Sequence, residues 1–219
     1  MFVDEHISVD KTFIGGIYIT LDELSLIIES INDAWNEIGT EWDFHYVKDK
    51  KIKRNGETVA EIFLKSLRSH LGREHTLIVV HPTADALKKY NEEFYPAVIF
   101  NLYSFPVFLT RSDYALIDKN SQVTVMKDIT EKMNYPKIFY DIDMLINSMS
   151  VDIKNRILRV LRNIMRVSRG IAIRSLDRAF NLKKEDAIKR VMKWGLYCAD
   201  YVVSSADGRK VDIYGREIE

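Results

Sequence analysis

The sequence predicts an α/β fold, a mixed sheet flanked by helices, and three observations carry that expectation. Strand-like runs alternate with helical apolar periodicity from the first residue to "HTLIVVHP", reading β-β-α-β-α-β. A further core-strand pattern returns at "KIFYDID" and is followed by long helical stretches. The composition, 47% hydrophobic and 29% charged, is that of an ordinary globular chain with enough apolar material for a packed core.

Each element has its own signal. The chain opens on "MFVDEH", a strand ending in Asp4, Glu5 and His6, and a second strand-like run covers residues 13–20. Residues 21–38 place Leu24, Ile27, Ile28, Ile31, Ala34, Trp35 and Ile38 on one helix face, with Thr20 and Glu23 as a capping box and Gly39 as the stop. In "EWDFHYV" Trp42, Phe44 and Tyr46 alternate with Glu41, Asp43 and His45, so residues 41–47 are expected to form a strand. A polar turn at Asn55-Gly56 leads to a helix over residues 58–71, and "HTLIVVHP" then reads as a buried central strand.

Residues 83–135 are the least legible. Residues 84–100 read as a helix broken at Pro96, and "VFLT" and "YALI" as short strands or as a helix interrupted at Pro106. Residues 138–143 read as a core strand whose end carries Asp141 and Asp143 on the same side. Residues 151–168 form a strong helical pattern, "GIAIRSL" a candidate strand, and a long helix runs from about Lys183 to the Asp207-Gly208 turn.

Net charge is zero, with 32 basic and 32 acidic residues, but the two are unevenly spread. Residues 151–219 hold 16 basic against 9 acidic residues, which leaves 16 against 23 in residues 1–150. The split suggests a polyanion-facing surface toward the C-terminus and a carboxylate-rich, metal-holding part toward the N-terminus. Runs of about 18 apolar residues and signal-peptide features are both lacking, so a soluble cytoplasmic protein with no membrane partner is expected. Cys198, alone, can neither staple the fold nor build a cysteine-based zinc site, and reads as a small buried apolar residue.

The acidic residues fall in a suggestive order. Asp4 ends the first strand, Asp141 and Asp143 end a later one, and Asp200 sits in the last helix within "LYCADYV". Phosphodiester cleavage by two metal ions needs carboxylates within bridging distance of Mg²⁺ or Mn²⁺ ions about 4 Å apart, and neighbouring strand ends with an inward-facing helix supply that geometry. Asp200 is surrounded in sequence by apolar residues, and a buried carboxylate is costly unless paired or bound to metal. The plainer alternatives are an Arg or cap partner for Asp200 and anti-aggregation charges on an edge strand for Asp4.

Read through "FVDEH", "FIGGIYIT", "KIFYDID", "GIAIRSLDR" and "LYCADYVVSS", the chain resembles a widespread domain-of-unknown-function family with a ribonuclease H-like fold. That family opens on a Tyr/Phe-x-Asp-Glu-Ser strand and closes on a helix with a Gln-x-Ala-Asp-type motif. The likeness spans nearly the whole chain through short motifs. It implies one ribonuclease H-like domain over residues 1–219 with an insertion at about 83–135. It also implies a metal-dependent nuclease in which Asp4, Asp141 and Asp200 bind Mg²⁺ or Mn²⁺, with Asp143 and Glu5 as auxiliary ligands. His6 stands where the family usually has Ser, Tyr197 takes the Gln position, and the first-helix glutamate of true ribonucleases H has no clear counterpart. A catalytically silent scaffold on the same fold is therefore a further reading.

Other features bear on partners. Arg156, Arg159, Arg162, Arg166 and Arg169 share one face of the helix over residues 151–168, opposite Ile153, Ile157, Val160, Leu161 and Ile164. Arginine suits phosphate, so Arg159, Arg162, Arg166 and Arg169 are candidate contacts to DNA or RNA, against a plain solvated face. His45 and His81 could join the site or be hydrogen-bonded structural histidines. Phe94, Tyr95, Phe100, Tyr103, Phe105 and Phe108 read as core or as the surface of a homodimer rather than a base-stacking platform.

Residues 151–219 also parse as three helices and a hairpin turning at Asp207-Gly208, a winged helix-turn-helix, with residues 1–150 as the α/β sensing domain of a DNA-binding regulator. The readings part at Asp200. A winged helix needs residues 201–203 to be a strand; the nuclease reading needs Asp200 buried near Asp4, and a ribonuclease H-like sheet is expected to make the first strand central and a neighbour of residues 138–141.

Overall fold

The computed structural model describes residues 1–8, 11–81, 114–118, 137–212 and 216–218. Strands β1 (Phe2–Ile7) and β2 (Thr12–Ile17) form an antiparallel hairpin. A short 3₁₀ turn leads into α1 (Leu24–Ile38), followed by α2 (Tyr46–Asp49), a ribbon of β3 (Lys53–Arg54) and β4 (Glu57–Thr58), α3 (Val59–His70) and β5 (Thr76–His81). Beyond these lie β6 (Tyr114–Ile117), β7 (Lys137–Phe139), α4 (Ile142–Ser148), α5 (Val151–Val167), α6 (Ile171–Leu182), α7 (Lys184–Ser205) and β8 (Lys210–Val211). Among the described residues six strands form one mixed sheet in the order β7-β6-β1-β2-β5-β8, flanked by helices. β2 is antiparallel to both β1 and β5, whereas β6 runs parallel to β1, β7 to β6 and β8 to β5.

The expected α/β architecture is thus present, with one rearrangement. β1 is central, but β6 stands between it and β7, so the first strand does not neighbour the "KIF" strand. The four residues of β6, "YALI", were open between strand and helix in the sequence, and their place in the sheet decides which strand ends meet. The other expectations for residues 83–135, and the aromatic cluster at 94–108, lie outside the described residues.

Helix α7 lies directly on β1 and β2, and α1, α5 and α6 pack around it. Phe2, Ile17, Ile78 and Leu116 from the sheet join Ile27, Ile31, Trp194, Cys198 and Ala199 in one core. Their alternate neighbours Val3, Ile14, Val79 and Ile117 are equally buried. Close approach is made possible by small residues. A Cβ on Gly195 would meet the ring of Phe2 at 2.4 Å, and one on Gly16 would meet the Phe2 carbonyl oxygen at 2.1 Å and the Ala199 methyl at 3.0 Å. Gly16 also has φ +150°, a conformation side chains rarely adopt.

Local signals set the helix ends. Gly39 closes α1 in the left-handed conformation, its N–H donating to Trp35 O at 2.8 Å. At Thr20 the Glu23 carboxylate accepts from both the backbone N–H and the hydroxyl. At α3 the Thr58 hydroxyl accepts from Glu61 N–H at 3.1 Å while Glu61 accepts from Thr58 N–H at 2.8 Å. Thr58→Ala should lower stability by ~1 kcal/mol in urea unfolding, the usual effect of losing such a cap; an unchanged midpoint would mean that α3 is held by packing alone.

Three sequence expectations are corrected. Residues 41–47 are not a strand: 41–45 run as irregular chain into α2, which takes in Tyr46 and Val47, and none of the described strands pairs with them. Their aromatic residues dock instead. Phe44 stacks on Phe63 with centroids 3.9 Å apart, and Trp35 Nε1 donates to Trp42 O. The segment is fastened by Asp49, whose carboxylate, 2% exposed, accepts from Trp42 Nε1, His45 N–H and the Tyr201 hydroxyl. "GIAIRSL" is helical, because Ala172, Ile173, Leu176 and Ala179 bury one face at helical spacing. Asn32 and Asn36 of α1 accept its first N–H groups, from Ala172 and Ile171 respectively. Finally, residues 201–203 lie inside α7, and β8 pairs with β5 in the main sheet, so the strand that a winged helix requires is helix here.

Candidate active site

The register of two parallel strands builds the site. Phe2 pairs with Leu116 and Val3 with Ile117, and one residue further stand Asp4 and Asp118, with Asp118 N–H donating to Val3 O at 3.1 Å. Phe2 and Leu116 face the core beneath α7, so the period of two puts Asp4 and Asp118 on that same side. Asp200 approaches from α7, immediately after Ala199, the residue seated against Gly16. The tight helix–sheet contact is therefore what carries Asp200 to Asp4, which does not end the first strand as expected, since β1 continues to Ile7 in pairing with β2.

Asp200 is fixed by neighbours on two sides. One carboxylate oxygen accepts from Tyr46 N–H at 2.9 Å and lies 3.3 Å from His45 Nδ1; the other accepts from the Ser204 hydroxyl at 3.0 Å. Its side chain is 15% exposed. Asp4 accepts from Glu5 N–H at 2.8 Å. Burial pushes the Asp4 carboxyl up to about 8; the charge of Asp200 adds to the rise, with smaller additions from Asp118 and Glu5, against the lowering effect of the Glu5 N–H.

Asp4, Glu5, Asp118, Asp141, Asp143 and Asp200 all line one cavity of about 1330 Å³. The structure gives the expected ligands different duties, however. β7 ends at Phe139, so Asp141 and Asp143 begin a helix instead of ending a strand. Asp141 caps α4, accepting Met144 N–H at 3.0 Å, and Asp143 pairs with Lys189 at 2.5 Å. The carboxylate that acts on Asp4 from the neighbouring strand is Asp118, which the sequence reading passed over. Its signal was "YALID", a short apolar run ended by an acid in the manner of "KIFYD".

The expected arginine face of α5 is elsewhere. Arg156, Arg159, Arg162, Arg166 and Arg169 are exposed, Ile157, Leu161 and Ile164 opposite them are buried, and none of the five lines the cavity. Arg162 lies over the Phe180 ring, and Arg169, two residues past the end of α5, donates back to the Arg166 and Ser168 carbonyls. Cavity cations come from α7 and α2 instead: Lys189, Arg190, Lys193 and Lys48. His45 lines the cavity too, half-exposed against Asp200, whereas the side chain of His81 lies outside the description. Cys198 is fully buried, as expected, and burial pushes its thiol up.

The donor set suits a hard divalent cation in kind, since every candidate ligand is a carboxylate oxygen. Among the described residues no group of three or more His, Cys, Asp or Glu is close enough to hold an ion as it stands. Among the same residues no helix is long and apolar enough to cross a membrane. The chain finds no match among protein-family models, curated proteins or solved structures.

Proposed function

We propose that the protein is a divalent-metal-dependent nuclease on a ribonuclease H-like fold, with Asp4, Asp118 and Asp200 as its ligands for Mg²⁺ or Mn²⁺. The observation that carries this reading is the meeting of Asp4, within β1, and Asp118, just past the end of the parallel neighbour β6 and in register with it, with Asp200 from the helix packed over them. A hairpin continued by parallel strands beside β1 supports the fold half of the reading.

A bound ion supplies charge neutralisation and the activation of water for phosphodiester hydrolysis. The chain itself supplies orientation. Tyr46 N–H, the Ser204 hydroxyl and His45 hold the Asp200 carboxylate, and Glu5 N–H holds that of Asp4. The raised Asp4 carboxyl reflects its burial first and the charge of Asp200 second, and a divalent cation beside it would offset both. Asp118, just past the end of β6, completes the set, while Asp141 caps α4 and Asp143 pairs with Lys189 in the free protein.

Mn²⁺ at about a hundred times its dissociation constant should stabilise the folded state by ~2.7 kcal/mol, a rise in melting temperature of about 5–10 °C for a chain this size. The same ion should switch on cleavage of a labelled oligonucleotide. Asp4→Asn, Asp118→Asn and Asp200→Asn should each abolish both responses while staying folded. No Mn²⁺-induced shift, together with no cleavage of single- or double-stranded DNA or RNA, would leave a catalytically silent scaffold.

A further inference from the structure

One face of α7 crosses the cavity wall from end to end. Lys189, Lys193, Tyr197, Asp200 and Ser204 follow one another at intervals of three or four residues, and Arg190 flanks the first of them. At ~1.5 Å rise per residue, Lys193 stands about 10 Å and Lys189 about 16 Å along the axis from Asp200. The row thus leads in regular steps to the carboxylate site.

Every cation in that row is met by a carboxylate from another element. Lys193 pairs with Asp43 at 2.9 Å, Arg190 with Glu41 at 3.3 Å and Lys189 with Asp143 at 2.5 Å. Glu41 and Asp43 come from the irregular chain between α1 and α2, and Asp143 from the first turn of α4. The lysine pairs are open to water: Lys193 and Asp43 are 52% and 83% exposed, Lys189 and Asp143 40% and 62%. Water competes for pairs this exposed, so another anion can replace the carboxylates without burying a lone charge.

We propose that Lys189, Arg190 and Lys193 are the phosphate track of the cavity, seating backbone phosphates of a nucleic-acid strand on its way to Asp200. Asp143, Glu41 and Asp43 hold the track in the free protein as internal stand-ins for phosphate oxygens. The substrate class rests on the nuclease reading. The placement of the track does not, and it replaces the α5 arginines as the seat of the strand.

The test uses the full chain, a fluorescein-labelled single-stranded DNA of about 16 nucleotides and EDTA, so that binding is read without cleavage. For the Lys189→Ala/Lys193→Ala variant, affinity near 0.1 M salt should fall about tenfold, and the slope of log affinity against log salt should flatten by about 1.4, two single-strand phosphate contacts. Asp43→Asn should bind the oligonucleotide several-fold more tightly than the parent, because it removes the internal competitor. Arg159→Ala/Arg162→Ala/Arg166→Ala should leave the slope unchanged. Inorganic phosphate and a mononucleotide should displace the strand only at concentrations far above that of an unlabelled oligonucleotide.

The proposal falls if the parent does not bind, if the slope follows the arginines instead of the lysines, or if one phosphate competes as well as a strand. It falls equally if Asp43→Asn weakens binding, which would make the pair a structural strap. Circular dichroism melts of each variant separate these results from misfolding. Track-dependent binding without Mn²⁺-dependent cleavage removes the nuclease reading and leaves the track; cleavage unaffected by the lysine changes does the reverse.

Discussion

Asp4→Asn should leave stability nearly unchanged below pH 4 and raise it progressively up to about pH 8, beyond which the gain levels off. In the folded parent Asp4 keeps its proton up to about pH 8, whereas in the unfolded chain an ordinary aspartate releases it near 3.8. Between those values the folded state binds the additional proton, so parent stability falls as pH rises, by up to ~1.4 kcal/mol per pH unit. Asparagine has the shape of the protonated acid and no proton to lose. For a chain of this length the slope corresponds to about 3–5 °C of melting temperature per pH unit, present in the parent and absent in the variant. Asp200→Asn should shift the parent's transition toward lower pH, since Asp200 is the largest charge contribution to the rise after burial itself. Parallel melting curves for parent and Asp4→Asn across this range would show that Asp4 is neither buried nor crowded in the way described.

Gly16→Ala should be among the most damaging single changes in the sheet, costing on the order of 3–5 kcal/mol from unfavourable backbone conformation and overpacking combined. The added methyl has no exit. It would stand 2.1 Å from a backbone oxygen of β1 and 3.0 Å from the Ala199 methyl of α7, so either the hairpin opens or the helix lifts. Gly195→Ala should cost less, ~1–3 kcal/mol, because its obstruction is a ring and not backbone. Phe2→Leu should recover part of that loss in a double-mutant cycle, and an additive pair would place the strain elsewhere. In Gly195→Ala, a helix lifted from β1 should also draw Asp200 away from Asp4 and lower the pH of the Asp4 transition, linking a packing change to an electrostatic readout.

What the sequence could reveal was set by the range of the interaction. Thr20, Thr58 and Gly39 act within three or four residues, and the helix ends they signal are where expected. The face of α1 and the span of α5 were legible because buried residues recur at one period over many turns. Residues 41–47 alternate as a strand would, yet that pattern comes from Trp42 and Phe44 docking on helices and from Asp49 collecting two nearby donors and a third from distant Tyr201. "GIAIRSL" carries both periods, and Asn32 and Asn36, far away in sequence, cap the helix that wins. Asp4 and Asp200 stood out by their setting. Asp118 did not, since its importance follows from β6 lying beside β1, a matter of strand order that no local pattern encodes.

The 22-residue helix α7 serves as core rod, as one wall of the cavity and as the carrier of Asp200, all in a single unbroken element. Such an element has a phase as well as a length. One residue inserted between Lys193 and Asp200 would turn everything after it by ~100° and advance it by ~1.5 Å, moving Asp200 off the cavity wall. The acidic connection between α1 and α2 has no such phase, being irregular chain fastened at Asp49, and it can change length while α7 stays fixed. The two walls of one cavity therefore differ in what they can become: α7 can be altered letter by letter but not respaced, whereas the facing connection can be lengthened or shortened to change what the cavity admits.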